Sequence, residues 1–354
     1  MSSSPQLPTI RYNIAKPESG PVFVVGIWRS GTSLLYSLLN QHPDLGLMYE
    51  SDLALMWPLF LRNRPKCDWL ARWEFWNKAV TRHRLPPDVL AHPFPSAVQA
   101  AAHVCREYAL QNGARIWGCK SPAYYRYLPK LAAEFPDARF IVIWRNPIGI
   151  YRSILNAANG SRYFRRRGML VRALLGSADL KRGCDELQRS GVPLHQLRYE
   201  DLIREPEGQM RLICEFLRIP FKHGMACLDQ ADRSAIYDHE HHSLVKGNGI
   251  VVAGERHNPL HAKQERKIYR YIHWWREQAS STSLRFDADP AVSKPPRIER
   301  FLDAVLYRFL ITYDETVLLI YSILPLKWLS AYRSFASKRK RPIKSRDTSL
   351  CAGA

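Results

Sequence analysis

An α/β fold, a mainly parallel sheet flanked by helices and followed by a helical C-terminal extension, is the architecture this chain predicts. Two apolar runs of strand length, at 22–25 and 139–144, each lead through a turn into a segment with helical apolar spacing, the rhythm of a parallel sheet buried on both faces. With 354 residues and 46% hydrophobic content, the chain can also bury a full core. In order, strands are expected near residues 22–25, 45–48, 115–118, 139–144 and 193–198. After the first, Leu34, Leu35, Leu38 and Leu39 share one helical face, and Pro43 in Asn40-Gln-His-Pro-Asp44 stops that helix. The 60–110 region, with Trp57 just before it and Trp69, Trp73 and Trp76 within it, reads as a helical lid beside an acceptor site, its aromatics weighted towards core packing. Met210, Ile213, Cys214 and Leu217 mark one face of a helix after the last strand. The expected organisation is an N-terminal tail over 1–20, one main domain over 21–280, and an amphipathic helical extension with a basic tail over 281–354.

The first chemical signal lies in the turn after the first strand, which reads G-x-x-x-x-G-T-S from Gly26. It places the backbone N–H groups of Ser30, Gly31, Thr32 and Ser33 and the positive end of a helix dipole at one point, where a phosphate or sulfate would sit. A nucleoside-triphosphatase loop carries Lys where this chain has Thr32; the cation here is Arg29, inside the loop. A second signal follows the strand at 139–144. Arg145 at its end and Ser153 about two helical turns on can both reach one phosphate lying across the sheet edge.

These segments, in this order, resemble the sulfotransferases that use 3′-phosphoadenosine 5′-phosphosulfate (PAPS), over roughly residues 21–275. The resemblance implies a P-loop-like sheet. It also implies that the loop from Arg29 to Ser33 holds the 5′-phosphosulfate and that Arg145 and Ser153, which match in type and spacing, hold the 3′-phosphate. Leu197-Arg-Tyr-Glu-Asp-Leu202 is similar to the family's Tyr-Glu-Asp-Leu segment, placing Tyr199 near the adenine, where a ring stacks on a flat purine. Gly118-Cys-Lys-Ser-Pro122 resembles its Gly-x-Lys-x-Pro turn, setting Lys120 beside the transferred group. His242-Ser-Leu-Val-Lys-Gly-Asn-Gly249 resembles the late loop that closes over the cofactor, implying Lys246, Gly247 and Asn248 as binding residues. The Arg-Lys-Gly triplet of the cytosolic enzymes is missing there, so Arg256 competes as the closing cation, and Ser243 is a candidate to face the sulfate bridge.

Arg29 in the loop and Tyr49-Glu50-Ser51 after the second strand are closer to the tyrosylprotein and bacterial carbohydrate-type branches than to the cytosolic small-molecule branch. Glu50 matches the catalytic Glu of the tyrosylprotein enzymes in its distance from the loop Arg, which makes it the candidate base, with His42 as a rival. The implied reaction is in-line transfer of a sulfuryl group from PAPS to an acceptor hydroxyl, with Glu50, Arg29 and Lys120 as catalytic residues. A carbohydrate or glycolipid is the first choice of acceptor; a protein tyrosine or a small metabolite stays open. No metal is expected, because the sulfuryl group carries less charge than a phosphoryl group. His239, His241 and His242, with Asp238 and Glu240, alternate along the chain and read as a polar loop.

The formal charge of +20 calls for an anionic partner beyond the cofactor, and Arg162, Arg165, Arg166 and Arg167 concentrate part of it. A nucleic-acid-binding module explains the charge but not the ordered motifs, so no nucleic acid is expected. A P-loop kinase is a nearer alternative, opposed by Thr32. Seven scattered cysteines, an odd number, read as reduced thiols, and residues 1–20 lack the apolar core of a signal or anchor; a cytoplasmic location is expected. In the extension, Asp314 and Glu315 on one side and Pro325 and Lys327 on the other leave an apolar run too short to span a membrane. It reads either as a helical pair packed on the domain or as an interfacial hairpin that brings the enzyme to an anionic membrane surface.

Overall fold

The computed structural model describes residues 20–52, 78–90, 97–160, 167–236, 272, 296–325 and 327–328. Five strands, β1 (Val22–Gly26), β2 (Leu45–Tyr49), β3 (Ile116–Lys120), β4 (Arg139–Trp144) and β5 (Leu194–Arg198), form a sheet in the order β2-β3-β1-β4-β5. All four pairings are parallel. The chain connects them through α1 (Thr32–Leu39), α2 (Ala79–Arg82), α3 (Ala97–Gln111), α4 (Leu128–Glu134), α5 (Pro147–Gly160) and α6 (Arg167–Arg189), then continues through α7 (Tyr199–Arg204), α8 (Pro206–Leu217) and α9 (Arg297–Ile323).

Strand side chains alternate between two apolar layers. Phe23 and Val25 of β1 join Phe140, Val142 and Trp144 of β4 under α3, α4, α5 and α6. Val22 and Val24 join Ile141 and Ile143 under α1 and α8, where Met210, Ile213, Cys214 and Leu217 form the expected apolar face. Coverage on both faces explains why these strands read as continuous apolar runs. Each fully buried aliphatic side chain contributes about 1.5–3 kcal/mol, so the two layers hold the sheet firmly.

One expectation changes in the structure. The 60–110 region was expected to form a lid, but α3 packs on β2 and β3 with Ala100, Val104 and Cys105 buried, so this part of it is a layer of the core. Gly46 of β2 permits that contact: a Cβ there would lie 2.5 Å from Ala109 Cα. Trp57, Trp69, Trp73 and Trp76 lie outside the described residues. In the C-terminal extension Asp314 and Glu315 limit the apolar run, as expected, without ending the helix. They sit inside α9, a single 27-residue helix that ends at Ile323, with Leu324 turned extended before Pro325. α9 packs along α6, and Tyr307 meets Tyr125 OH at 3.0 Å and donates to Asp179. Arg172 donates twice to Asp314, at 2.9 and 2.7 Å, and Arg126 donates to Glu315 at 3.0 Å. Among the described residues, no helix is long and apolar enough to cross a membrane.

The strand order fixes where a ligand can sit. From β1 the chain runs through α1 to β2 on one side of the sheet, and from β4 through α5 and α6 to β5 on the other. The connections therefore diverge beyond the C-terminal ends of adjacent β1 and β4, the crevice where open parallel sheets bind ligands.

Candidate active site

Both phosphate-type segments open into that crevice. After β1, Arg29 (φ 72°) and Gly31 (φ 100°) take left-handed backbone conformations, which bend the chain so that the N-terminus of α1 faces the sheet edge. A Cβ on Gly31 would lie 2.3 Å from Tyr199 Cδ2, so the tyrosine ring rests directly on the loop. Inside the loop, the Ser30 hydroxyl is buried and has no hydrogen-bond partner among the described residues.

Arg29 joins the two segments. Its Nε donates to Ser153 Oγ at 2.9 Å, and its carbonyl accepts from Arg145 Nη1 at 2.9 Å. The Arg145 guanidinium stacks 4.1 Å from the centre of the Tyr199 ring, a cation–π contact. Burial, and then the charge of Arg145, lowers the Arg29 pKa to about 10; burial also lowers that of Arg145. Both remain cationic at neutral pH, and both have lost water that an anion could replace.

Lys120 lies on the other side of the loop, at the end of β3. The strand runs two residues further than the sequence pattern indicated, and this extension carries Lys120 to the sheet edge. Its ammonium is fully buried and donates to Glu50 Oε1 at 2.6 Å and to Ser33 Oγ at 3.2 Å. It also lies 4.0 Å above the Tyr49 ring, whose hydroxyl is 2.8 Å from Ser33 Oγ. Desolvation lowers the Lys120 pKa, with Glu50 opposing that shift.

Glu50 needs support, because its own backbone is left-handed (φ 44°). Its N–H donates to the Lys120 carbonyl at 2.7 Å, and its carbonyl accepts from Arg82 Nη2 at 3.0 Å. His83 Nε2–H donates to the Tyr49 carbonyl at 3.0 Å, and burial lowers the His83 pKa to about 4, so this clamp is neutral. Asp52 (φ 52°) accepts from Ser121 Oγ at 2.6 Å. Its pKa is raised to about 7, first by burial and then by the neighbouring charge of Glu50.

The structure thus gathers Arg29, Ser30, Gly31, Thr32, Ser33, Glu50, Lys120, Arg145, Ser153 and Tyr199 around one crevice. His42 is elsewhere, at the far end of α1. Its Nε2–H donates to the Pro220 carbonyl at 2.8 Å and its Nδ1 accepts from Asp44 N–H at 3.0 Å, so both ring nitrogens tie the helix end to the domain. Lys246, Gly247, Asn248, Arg256, Ser243 and the His239, His241 and His242 cluster lie outside the described residues, as do Arg162, Arg165 and Arg166. The sequence reading missed Asp52, Arg82, His83 and Ser121. A second acid in Glu50-Ser51-Asp52, directly after a strand, was a usable signal for Asp52. Arg82 and His83 act through backbone carbonyls, and no residue pattern announces that.

The family model described as the Sulfotransferase family matches residues 21–223, more than half of the chain. The chain belongs to the sulfotransferase family. Protein-tyrosine sulfotransferase 1 of Danio rerio is 27% identical over 208 residues, covering 56% of this chain and 53% of that protein. The omega-hydroxy-beta-dihydromenaquinone-9 sulfotransferase of Mycobacterium tuberculosis is 27% identical over 252 residues, covering 56% of this chain and 62% of its own. The chain therefore spans little more than half the length of these curated relatives. A solved sulfotransferase domain from the curacin biosynthetic pathway aligns at 19% identity and a TM-score of 0.48, over 76% of this chain and 99% of that one. In this chain the family match takes in the loop, Glu50, Lys120, Arg145, Ser153 and Tyr199; the late loop and α9 lie beyond it.

Proposed function

We propose that this sulfotransferase moves a sulfuryl group from PAPS to the hydroxyl of a carbohydrate or glycolipid, without a metal. The observation that carries this reading is the convergence of three desolvated cations, Arg29, Lys120 and Arg145, on the N-terminus of one helix at the sheet's switch point. Desolvated cations beside a nest of N–H groups and a Ser30 hydroxyl with no partner among the described residues fit a ligand with more than one anionic group. PAPS supplies the activated sulfuryl group and two phosphates.

Arg29 and the N–H groups of Ser30, Gly31, Thr32 and Ser33 would hold the 5′-phosphosulfate, Arg145 and Ser153 the 3′-phosphate, and Tyr199 the adenine; Lys246, Gly247 and Asn248 would close the site from the late loop. Glu50 takes the acceptor's proton. Lys120, within hydrogen-bond reach of both Glu50 and Ser33, orients that carboxylate and offers its charge where negative charge builds on the bridging oxygen. Because Arg82 and His83 fix the backbone around Glu50, the base is held in place before the acceptor arrives.

The names of the relatives span a protein tyrosine and a hydroxylated menaquinone, so tyrosyl and small-metabolite acceptors remain the alternatives. The proposed location is the cytoplasm, with peripheral attachment to a membrane. A kinase reading is opposed by Thr32 at the position of the phosphate-binding lysine.

Calorimetry tests the cofactor. The protein should bind 3′,5′-ADP far more tightly than 5′-ADP, ATP or GTP, and Arg145→Ala should remove most of that preference, about 1.5–3 kcal/mol for a charged hydrogen bond. Equal affinity for 5′-ADP and 3′,5′-ADP refutes the reading.

A further inference from the structure

α9 carries apolar side chains on two faces, and the domain covers one of them. The inner face holds Tyr307 and Ile311, both buried, and is latched through Asp314 and Glu315 to Arg172 and Arg126. On the opposite face Ile298, Phe301, Leu302, Val305, Phe309 and Ile320 are exposed, Phe301 and Phe309 to 66% and 65%. At 3.6 residues per turn these positions fall in one arc about 100° wide, and no Asp, Glu, Lys or Arg of the helix falls inside it, Arg308 lying just beyond its edge. From Ile298 to Phe309 the stripe runs about 17 Å, and Leu319 and Ile320 resume it beyond the exposed Thr312 and Thr316. Clustered exposed apolar side chains of this size mark a contact site.

We propose that this outer face lies on an anionic membrane surface, with the helix axis in the membrane plane and the domain held against the bilayer. Charge selects this occupant. Past the helix come Lys327 and Trp328, the latter 61% exposed, and the sequence continues with Arg333, four consecutive cations at 338–341, Lys344 and Arg346, with no acidic residue before Asp347. Cations beside an apolar, aromatic-bearing helix face are the composition of an interfacial anchor, and each cation near an anionic leaflet strengthens binding about fivefold. A second copy of the chain is disfavoured, since it would bring another net charge of +20 to the same place. The latch to Arg172 and Arg126 holds the inner face of α9 on the protein and leaves its outer face for lipid.

The anchor is independent of sulfuryl transfer and is tested without it. The full chain is sedimented with phosphatidylcholine vesicles that contain or lack phosphatidylglycerol, and the double variant Phe301→Glu, Phe309→Glu is compared, its fold checked by near-UV circular dichroism. Uptake by the phosphatidylglycerol vesicles, weakened by salt and reduced at least about tenfold in the variant, supports the proposal. Equal uptake of the variant would show that the basic tail acts alone and overturns it. So does a lack of uptake by either vesicle, including the case in which sedimentation equilibrium finds a dimer that the variant dissolves. If the double variant does not fold, Val305→Asp is read by the same criteria.

Discussion

Replacing Glu50 with Gln deletes one negative charge while leaving an oxygen within reach of Lys120. A general base contributes about 10²–10⁴ in rate, so turnover should fall by that factor, equivalent to about 2.7–5.5 kcal/mol on the barrier. Affinity for 3′,5′-ADP should hardly change, because Arg145, Ser153 and Tyr199 form their contacts on the opposite side of the loop from Glu50. Stability should fall as well. Lys120 is fully buried and donates to Glu50 at 2.6 Å, and truncating one member of a buried ion pair costs about 3–5 kcal/mol. Here the Gln oxygen still accepts, and the Glu50 side chain is 18% exposed, so the expected loss is nearer 1–3 kcal/mol. The assay has three arms: single turnover of PAPS carrying radiolabelled sulfur with lipid and glycan extracts, calorimetry with 3′,5′-ADP, and urea denaturation. Lys120→Met completes a double-mutant cycle, and two residues acting as a unit should together lose much less than the sum of their separate losses. Full turnover by Glu50→Gln refutes the assignment of the base. A loss of 3′,5′-ADP affinity as large as the loss of turnover refutes the division between the two sides of the loop.

Gly31→Ala should abolish measurable 3′,5′-ADP binding in calorimetry, because the added carbon meets Tyr199 at 2.3 Å and the φ of 100° disfavours any side chain. Asp52 has a folded-state pKa of about 7, raised above its ordinary 3.8, so its contribution to stability is complete below about pH 4 and is lost as the pH rises to about 7. Asp52→Asn should therefore flatten urea-derived stability across that window and stabilise the protein near pH 8, by at most ~4 kcal/mol, and an unchanged pH profile contradicts the assignment. Tyr307→Phe removes the hydroxyl shared with Tyr125 and Asp179 and should lower stability by about 1–3 kcal/mol; an unchanged melting temperature would show that the latch contributes nothing. Turnover should persist in EDTA, and a strict Mg²⁺ requirement would favour the kinase reading.

The sheet was legible wherever burial on both faces wrote a continuous apolar run. β4 appears at the residues expected, and β1 runs one residue longer. β3 was placed short because Cys119 and Lys120 end it, and a buried lysine in sequence looks like the start of a loop. The use that α9 makes of Asp314 and Glu315 was not legible, because their partners lie 142 and 189 residues away. The residues that meet in the crevice were named one by one, some from spacing and others only through the family resemblance, but not the way Arg29 ties Ser153 to Arg145, since that depends on strand order, which no local pattern encodes. The clamp on Glu50 was hidden for a different reason, because backbone carbonyls are the same in every residue.

The first strand in the sequence is the middle strand of the sheet. Val22 has its neighbours at Gly118 and Arg139, both contributed much later in the chain. During synthesis the most apolar strand therefore emerges with both edges unpaired and waits for β3 on one side and β4 on the other, a strongly non-local assembly of the kind that forms slowly. Arg145 follows β4 by a single residue, so the grip on the phosphate loop becomes available only when the last neighbour of β1 arrives. Nucleotide affinity then reports on assembly as well as chemistry. A nascent chain halted before β4 would carry an intact loop sequence, bind no nucleotide, and expose a strand that the finished protein buries along its whole length.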